Sequence, residues 1–220
     1  MKASDLFVKC LEAEGVTKIF GIPGEENADL MISLKKSKIE FVLCRHEQAA
    51  AFMADVYGRL TGKAGVCLAT LGPGVTNLMT GLADANMDRA PVVAIIGQGS
   101  TERLHKESHQ IMDSISMVAP ISKWAQTILS AKNVTEVVRK AFKVAETEKP
   151  GVTVIELPED VAKEEVNENP IKPSLIRRPA ADYRAVNEAI ELIISAKNPI
   201  ILAGNGTIRK RASHRLRTLI

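Results

Sequence analysis

The chain has 220 residues, enough for one complete domain of about 100–150 residues and part of a second. Aromatic residues make up only 4% of it, so the core must consist mainly of Val, Ile, Leu, Ala and Met, as in a buried parallel sheet. The net charge is +3, and residues 200–220 hold no acid and five basic residues: Arg209, Lys210, Arg211, Arg215 and Arg217. The rest is close to neutral, which excludes a general nucleic-acid-binding surface. We predict that the basic tail is a solvated helix face, with a nucleic-acid or membrane patch as the alternative.

Hydrophobic segments of helical and strand length alternate up to residue 157. The predicted helices span residues 4–14, 28–36, 46–60, 75–86 and 133–146, with a short helical piece at 111–118. The predicted strands span residues 17–20, 39–44, 64–70, 91–97, 123–128 and 151–157. Ser4 or Asp5 is expected to cap the first helix, and Asn133 with Glu136 a later one. This alternation predicts an α/β fold, a parallel sheet with helices on both faces and right-handed crossovers.

The pattern changes after Pro158, where further prolines (Pro170, Pro173 and Pro179) interrupt a charged stretch. We predict a first domain over residues 1–165, a linker over 166–183 and the start of a second α/β domain over 184–220. In this last part we expect a helix over 184–196, a strand over 198–203 and a new helix after Gly206. Fewer than about 40 residues seldom bury a core of their own. The second domain is therefore expected to be truncated.

Three loops follow strands of the predicted sheet and carry glycine or charge. They are Gly21-Ile22-Pro23-Gly24, Arg45-His46-Glu47-Gln48 and Gly72-Pro73-Gly74-Val75-Thr76-Asn77. The carboxyl ends of parallel strands share one edge, where open α/β sheets bind ligands. Glu47 combines this edge with the first turn of a helix, which favours a carboxylate. We predict that Glu47 is a catalytic acid and that Asn77 braces it; the alternatives are a helix-start acid and a capping or surface asparagine.

Helix 46–60 also carries a stripe of small residues at steps of three and four. The stripe consists of Glu47, Ala50, Ala51, Ala54 and Gly58. Small residues let another element approach closely, and the sequence leaves two alternatives for that element. The stripe packs on its own sheet, or it forms a subunit interface that removes Glu47 from water and suits it to protonate a ligand nitrogen.

Other kinds of site lack support. The Gly72 loop is not followed by the Gly-Lys-Ser/Thr of a phosphate-binding loop, and Gly204-Asn205-Gly206 lacks the third glycine of a dinucleotide fingerprint. There is no Gly-x-Ser-x-Gly elbow and no cluster with metal-ligand spacing, so no metal ligands are predicted. Cys10, Cys44 and Cys67 are expected to be buried thiols in a reducing compartment. The absence of a signal-peptide core and of an apolar run of about 18 residues predicts a cytoplasmic protein without membrane contact.

Taken together, the motifs resemble a known family. They are Phe20-Gly21-Ile22-Pro23-Gly24, Arg45-His46-Glu47-Gln48-Ala49-Ala50-Ala51-Phe52-Met53-Ala54, Gly58-Arg59-Leu60-Thr61-Gly62-Lys63, Gly72-Pro73-Gly74-Val75-Thr76-Asn77-Leu78, Pro91-Val92-Val93-Ala94-Ile95-Ile96-Gly97-Gln98 and Lys149-Pro150-Gly151. In this order the chain resembles the amino-terminal, pyrimidine-binding domain of the acetolactate synthase and pyruvate oxidase family of thiamine diphosphate enzymes. The resemblance is close over residues 1–165, and residues 184–220 look like the opening of the family's central domain.

The resemblance implies a role for each matching residue. Glu47 would hydrogen-bond the pyrimidine N1′ of thiamine diphosphate and favour the imino tautomer that activates the cofactor. The pyrimidine pocket would be lined by both glycine loops and the end of a strand, through Pro23, Thr70, Gly72, Pro73 and Asn77. The implied reaction joins two pyruvates, or pyruvate and 2-oxobutanoate, with loss of carbon dioxide, as in acetolactate synthases. The implied assembly is a homodimer or homotetramer.

Several points stay open within the resemblance. His109 and Gln110 stand where the family positions its substrate, and this pair looks more like the catabolic, flavin-free type; the alternative is a solvated loop histidine. Lys149 falls where flavin-dependent members often carry a basic residue, so that FAD is left open. The family's Gly-Asp-Gly…Asn segment, which holds Mg²⁺ and the diphosphate, is absent from the sequence, and the chain alone is expected to be inactive.

The alternatives are a pyruvate oxidase, a 2-oxo-acid decarboxylase, a glyoxylate carboligase and a non-catalytic dimerising domain of the pyrimidine type. The glyoxylate carboligase branch departs from the family's catalytic glutamate, so that Glu47 disfavours it.

Overall fold

The computed structural model describes residues 1–174, 180–208 and 212–220. The chain forms two compact units, Met1–Ile176 and Arg177–Ile220. In the first unit six parallel strands form one sheet in the order β2-β1-β3-β4-β6-β5. The strands are β1 Lys18–Gly21, β2 Glu40–Leu43, β3 Gly65–Ala69, β4 Val92–Gln98, β5 Trp124–Thr127 and β6 Val152–Pro158.

Helices cover both faces of this sheet, which confirms the predicted fold class. The helices of the first unit are α1 Ala3–Ala13, α2 Ala28–Leu34, α3 Glu47–Thr61, α4 Pro73–Met87, α5 Ser114–Val118, α6 Val134–Glu146 and α7 Glu159–Lys163. Leu6 of α1 and Phe142 of α6 belong to the apolar core on one face, whereas Ala54 of α3 and Leu78 of α4 belong to the core on the other. Strands β3, β4 and β6 are buried along their whole length because both of their faces are covered.

The small stripe of α3 packs inside the first unit. A Cβ placed on Gly65 would lie 2.0 Å from the carbonyl oxygen of Ala54, and one on Gly58 would lie 2.4 Å from that of Pro91. On the neighbouring helix, a Cβ on Gly81 would lie 2.6 Å from the Cβ of Ala51. Of the two partners considered for the stripe, the structure therefore shows packing on its own sheet and on α4, and the idea that the stripe is a subunit interface is wrong.

Two predicted helix caps are also wrong. Helix α1 begins at Ala3, and Ser4 lies inside its first turn, where its hydroxyl accepts a hydrogen bond from Ser33 instead of capping. Asn133 makes no side-chain capping bond. A short 3₁₀ turn precedes α6, and the hydroxyl of Ser130 caps that turn by accepting a hydrogen bond from the Lys132 amide. In both places tertiary contacts or an extra turn replace the local cap.

The stretch after Pro158 is more ordered than its prolines indicate. Helix α7 follows β6 directly and buries Val161 and Ala162. Beyond it, the amide of Val166 donates to the carbonyl of Met1 at 2.9 Å, next to an antiparallel bridge between Lys2 and Glu165. Burial of these apolar side chains joins residues 159–166 to the first unit.

The second unit contains α8 Tyr183–Ser195, a 3₁₀ turn Asn205–Ile208 and α9 Ala212–Leu219. The strand predicted over residues 198–203 does not form, and Ile200 is 95% exposed. A strand needs a hydrogen-bonded neighbour, and the described residues of this unit offer none. Residues 175–179 of the predicted linker, and Arg209, Lys210 and Arg211 of the predicted basic helix face, lie outside the described residues.

Candidate active site

Glu47 lies at the carboxyl edge of the sheet, as the first residue of α3. The strand β2 ends at Leu43, and His46 caps the helix by accepting a hydrogen bond on its Nδ1 from the amide of Gln48 at 3.1 Å. This cap fixes the point at which the chain turns from strand to helix. The residue Glu47 is 8% exposed, although it is ionisable and lies at the end of a helix. A carboxylate in this position is held by the backbone rather than by a flexible loop.

Asn77 of α4 braces the carboxyl group of Glu47. Its Nδ2 donates to Glu47 Oε2 at 3.0 Å. Among the described residues no donor reaches Oε1, so that this oxygen remains able to bond a ligand. The structure thus brings together the predicted acid and its predicted brace from two different helices.

Thr70 connects the first glycine loop to the end of β3. A Cβ on Gly24 would lie 2.4 Å from the Cβ of Thr70, so that only glycine allows the Pro23 loop to come this close. The hydroxyl of Thr70 donates to Glu26 Oε2 at 2.7 Å. The methyl group of Thr70 would in turn lie 3.2 Å from a Cβ on Gly74. Thr70 therefore lies between the two glycine loops.

The third predicted loop, which contains Gly72, reaches the same edge of the sheet. Its φ of 57° and ψ of −117° belong to a region that L-residues rarely adopt, and Pro73 follows as the first residue of α4. A Cβ on Gly72 would lie 2.7 Å from the carbonyl oxygen of Gln110. Gln110, itself at a φ of 55°, thus lies against the Gly72 loop. His109 is exposed beside it, and its side chain makes no hydrogen bond or ion pair with the described residues of the site.

Comparison with known proteins identifies the family of the chain. Residues 1–117 match the family described as thiamine pyrophosphate enzyme, N-terminal TPP binding domain. The chain belongs to this family. The resemblance seen in the sequence motifs is confirmed, and with it the assignment to enzymes that use thiamine diphosphate.

The proteins to which this chain is similar are longer than the chain. It is 39% identical, over its whole length, to the probable acetolactate synthase large subunit of Methanococcus aeolicus. It is 42% identical over 91% of its length to the catabolic acetolactate synthase of Raoultella terrigena, and 37% identical over 97% to the glyoxylate carboligase of Escherichia coli O157:H7. The chain spans 36–38% of the length of these relatives.

Three polar residues near the carboxyl edge of the sheet were not predicted as site residues from the sequence. Glu26 appears there as one of two acids at a helix start, and nothing distinguishes it until its contact with Thr70 is seen. Gln98 ends β4 and Glu156 lies within β6, and the carboxyl group of Glu156 accepts hydrogen bonds from Gln98 and Thr127. Burial raises the pKa of Glu156, although these hydrogen bonds act in the opposite direction. A charge within the apolar run 152–157 is the signal that could have identified Glu156.

Metal-binding and membrane-spanning features are both absent from the described part of the chain. Its residues contain no group of three or more His, Cys, Asp or Glu side chains that could hold a metal ion. No helix among them is both long enough and apolar enough to cross a membrane.

Proposed function

We propose that the chain is the amino-terminal part of a thiamine diphosphate-dependent acetolactate synthase. The proposed reaction joins two pyruvates, or pyruvate and 2-oxobutanoate, with loss of carbon dioxide. The observation that carries the proposal is the Glu47–Asn77 pair between two glycine loops at the carboxyl edge of the sheet. Relatives named acetolactate synthase at 39% and 42% identity support the choice of reaction.

The residues present fit the pyrimidine end of the cofactor. Glu47 has one carboxyl oxygen bound by Asn77 and one that no described residue bonds, which suits a ring nitrogen. Gly24 lets the Pro23 loop lie against Thr70, and Gly72 lets Gln110 lie against the Pro73 loop, so that both loops and Thr70 would border the ring. When bound, thiamine diphosphate supplies the electron sink for decarboxylation. The chain would hold the ring, exclude water from it and keep a proton on Glu47.

The contacts to Mg²⁺, to the diphosphate and to the substrate are proposed to come only in part from this chain. Mg²⁺ and the diphosphate would be held by residues outside this chain. Gln110, which lies against Gly72, and His109 would contact the 2-oxo acid. The His109–Gln110 pair favours the catabolic type without FAD, and the 42% identity to a catabolic acetolactate synthase agrees with that preference.

We further propose that two copies associate through the outer faces of α3 and α4. Met53, Val56 and Leu60 of α3 are exposed there, and so is Met87 of α4; Leu60 is 82% exposed. Large apolar side chains exposed at positions 53, 56 and 60 share one face of α3, and an exposed apolar face is typical of an interaction site.

The test is Glu47→Gln in an enzyme of the full acetolactate synthase length. Glutamine keeps the shape of the side chain but cannot donate a proton as a carboxylic acid does. We expect turnover of pyruvate to acetolactate to fall by about 10²-fold or more. Glu25→Gln, an exposed acid at the same edge, is the matched control and should leave turnover unchanged. Undiminished turnover in the Glu47 variant would refute the proposed role.

Product analysis separates the second candidate function. The 37% identity to a glyoxylate carboligase over 97% of the chain favours testing glyoxylate as a substrate. Acetolactate from pyruvate supports the proposal. Acetyl phosphate, acetaldehyde or a product formed only from glyoxylate would assign the chain to another enzyme of the family. No product from any 2-oxo acid would favour the non-catalytic dimerising module.

A further inference from the structure

A buried polar pair lies at the end of β4 and β6. Glu156 and Gln98 are 4% and 2% exposed, and Gln98 Nε2 donates to Glu156 Oε1 at 3.0 Å. Thr127, which is the neighbour of Glu156 in the β5–β6 register, donates its hydroxyl hydrogen to Oε2 at 2.7 Å. Buried polar networks with all members bonded hold their neighbours in one arrangement.

The position of Glu156 breaks an apolar row. Val152 and Val154 precede it at alternate positions of β6 and belong to the core beneath α3 and α4. An apolar residue at position 156 would continue this row and avoid the cost of burying a carboxyl group. A buried acid in place of an apolar side chain is a local violation of the folding pattern, and such violations concentrate at functional sites.

Gln98 holds together both ends of one loop. Its Oε1 accepts a hydrogen bond from the amide of Gly99 at 3.0 Å, and its Nε2 also donates to the carbonyl of Met112 at 3.1 Å, 14 residues along the chain. Residues 99–112 thereby form a surface loop with its ends fixed by a single side chain, and we name it the Ω-loop. This loop carries His109 and Gln110.

The Ω-loop is also attached to α7. Its first residues are tied to α7, where Asp160 accepts hydrogen bonds from the amide and hydroxyl of Thr101. A cavity of about 420 Å³ adjoins the loop, lined by Gln98, Glu156, Ile111 and Met112 among others. A loop beside such a space is not supported by dense packing. Arg103 joins Ser108 to Glu159 of α7, and Gln98, bonded to Glu156, attaches the Met112 end of the loop.

We propose that Glu156 is a positioning residue, which fixes Gln98 and through it holds the Ω-loop so that Gln110 stays against Gly72. Glu156 keeps the amide of Gln98 turned toward Met112, because Oε1 accepts one of its two N–H groups. The functional part of this inference, that the loop presents Gln110 and His109 to a 2-oxo acid, rests on the proposed function.

Amide hydrogen exchange of the 220-residue chain tests the structural part. In Glu156→Leu, which continues the apolar row, we expect exchange in residues 99–112 to accelerate by about tenfold or more. Gln98→Leu should do the same, and the double variant should add little to either. Glu156→Gln, which keeps an acceptor oxygen, should stay within about twofold of the wild type.

The matched control is Glu14→Gln, an acid whose side chain is 6% exposed and which pairs with Arg139, far from the Ω-loop in the sequence. It should leave exchange in residues 99–112 unchanged, even if it lowers stability. Unchanged exchange in both leucine variants would overturn the proposal. If Glu156→Leu does not fold, Gln98→Leu decides it, and unchanged exchange in that variant would overturn the proposal.

Kinetics of the full-length enzyme test the functional part. We expect Glu156→Leu to raise the KM for pyruvate by about tenfold, with kcat within about threefold and thiamine diphosphate binding unchanged. Glu14→Gln should change neither constant. An equal loss of kcat and of cofactor binding would overturn the positioning role. A wild-type enzyme that makes no acetolactate would refute the proposed function, and the exchange experiment would still decide the inference.

Discussion

At the carboxyl edge of the sheet, the arrangement of the site depends on the identity of single residues. The Glu47 carboxyl group depends on one asparagine from another helix, and the Gly72 loop depends on the absence of a side chain. Glycine is needed at position 72 for two reasons: the backbone there has a positive φ, and Gln110 approaches closely. Substitutions can separate the effect of the positive φ from the effect of the contact with Gln110.

Replacement of Gly72 by alanine should lower the free energy of unfolding by about 1–3 kcal/mol, because the new Cβ meets both a rare φ and the carbonyl of Gln110. Urea unfolding of the chain measures this change. Gly62→Ala is the matched control, since Gly62 has a φ of 69° but no atom within 4 Å of its Cβ position. If the two variants lose the same stability, the contact with Gln110 contributes nothing.

Whole elements are connected by a few charged groups as well as by packing. Arg59 near the end of α3 donates to Asp55 on its own helix at 2.7 Å and to Asp84 of α4 at 2.9 Å. It also contacts Asp88 just beyond α4. The carboxyl group of Asp55 is almost fully buried, so that Arg59 compensates a charge that water does not reach. This network holds together the two helices that supply Glu47 and Asn77.

Substitution of Arg59 by alanine should therefore lower the free energy of unfolding by about 1–3 kcal/mol, because it leaves the buried acceptor of Asp55 without its donors. Thermal or urea unfolding gives the value. Lys18→Ala removes an exposed ion pair with Glu40 and should change stability by less than about 1 kcal/mol. An Arg59 variant as stable as the Lys18 variant would show that packing alone joins α3 to α4.

The whole molecule exposes apolar surface on the side of α3 and α4. The small stripe of α3 is used inside the first unit, so that association, if it follows this helix, must use the larger residues on its outer face. Those residues are Met53, Val56 and Leu60. This changes which substitution tests the proposed dimer, since a stripe variant such as Ala54→Leu would disturb the core instead.

Val56→Glu is the corresponding test, because it places a charge on the outer face of α3 without touching the core. We expect the mass from sedimentation or light scattering to fall from that of two copies to that of one. Lys9→Glu, on the exposed side of α1, is a control that also introduces an acid and should leave the mass unaltered. A wild-type chain that is already monomeric at high concentration would contradict association through this face.

The sequence predicted the parallel α/β sheet because strands buried on both faces must be continuously apolar and the helices between them must repeat at 3.6 residues. It also indicated the three loops of the site, since glycine, proline and a lone acid directly after parallel strands are typical of a ligand-binding edge. It failed at residues 198–203, where an apolar run has no neighbouring strand among the described residues with which to pair. It failed at Asn133, where an additional 3₁₀ turn moved the cap to Ser130.

The sequence by itself determined the order of the six strands of the first unit and the helices between them, the edge at which Glu47 lies and the family to which the chain belongs. Only the tertiary structure decided which groups meet at that edge. Asn77 reaches Glu47 across 30 residues of chain, and Gln98 reaches Met112 and Glu156 across 14 and 58. Periodicity and turn residues act within one element, whereas these hydrogen bonds depend on how separate elements pack. The partner of a buried polar group is therefore set by the fold.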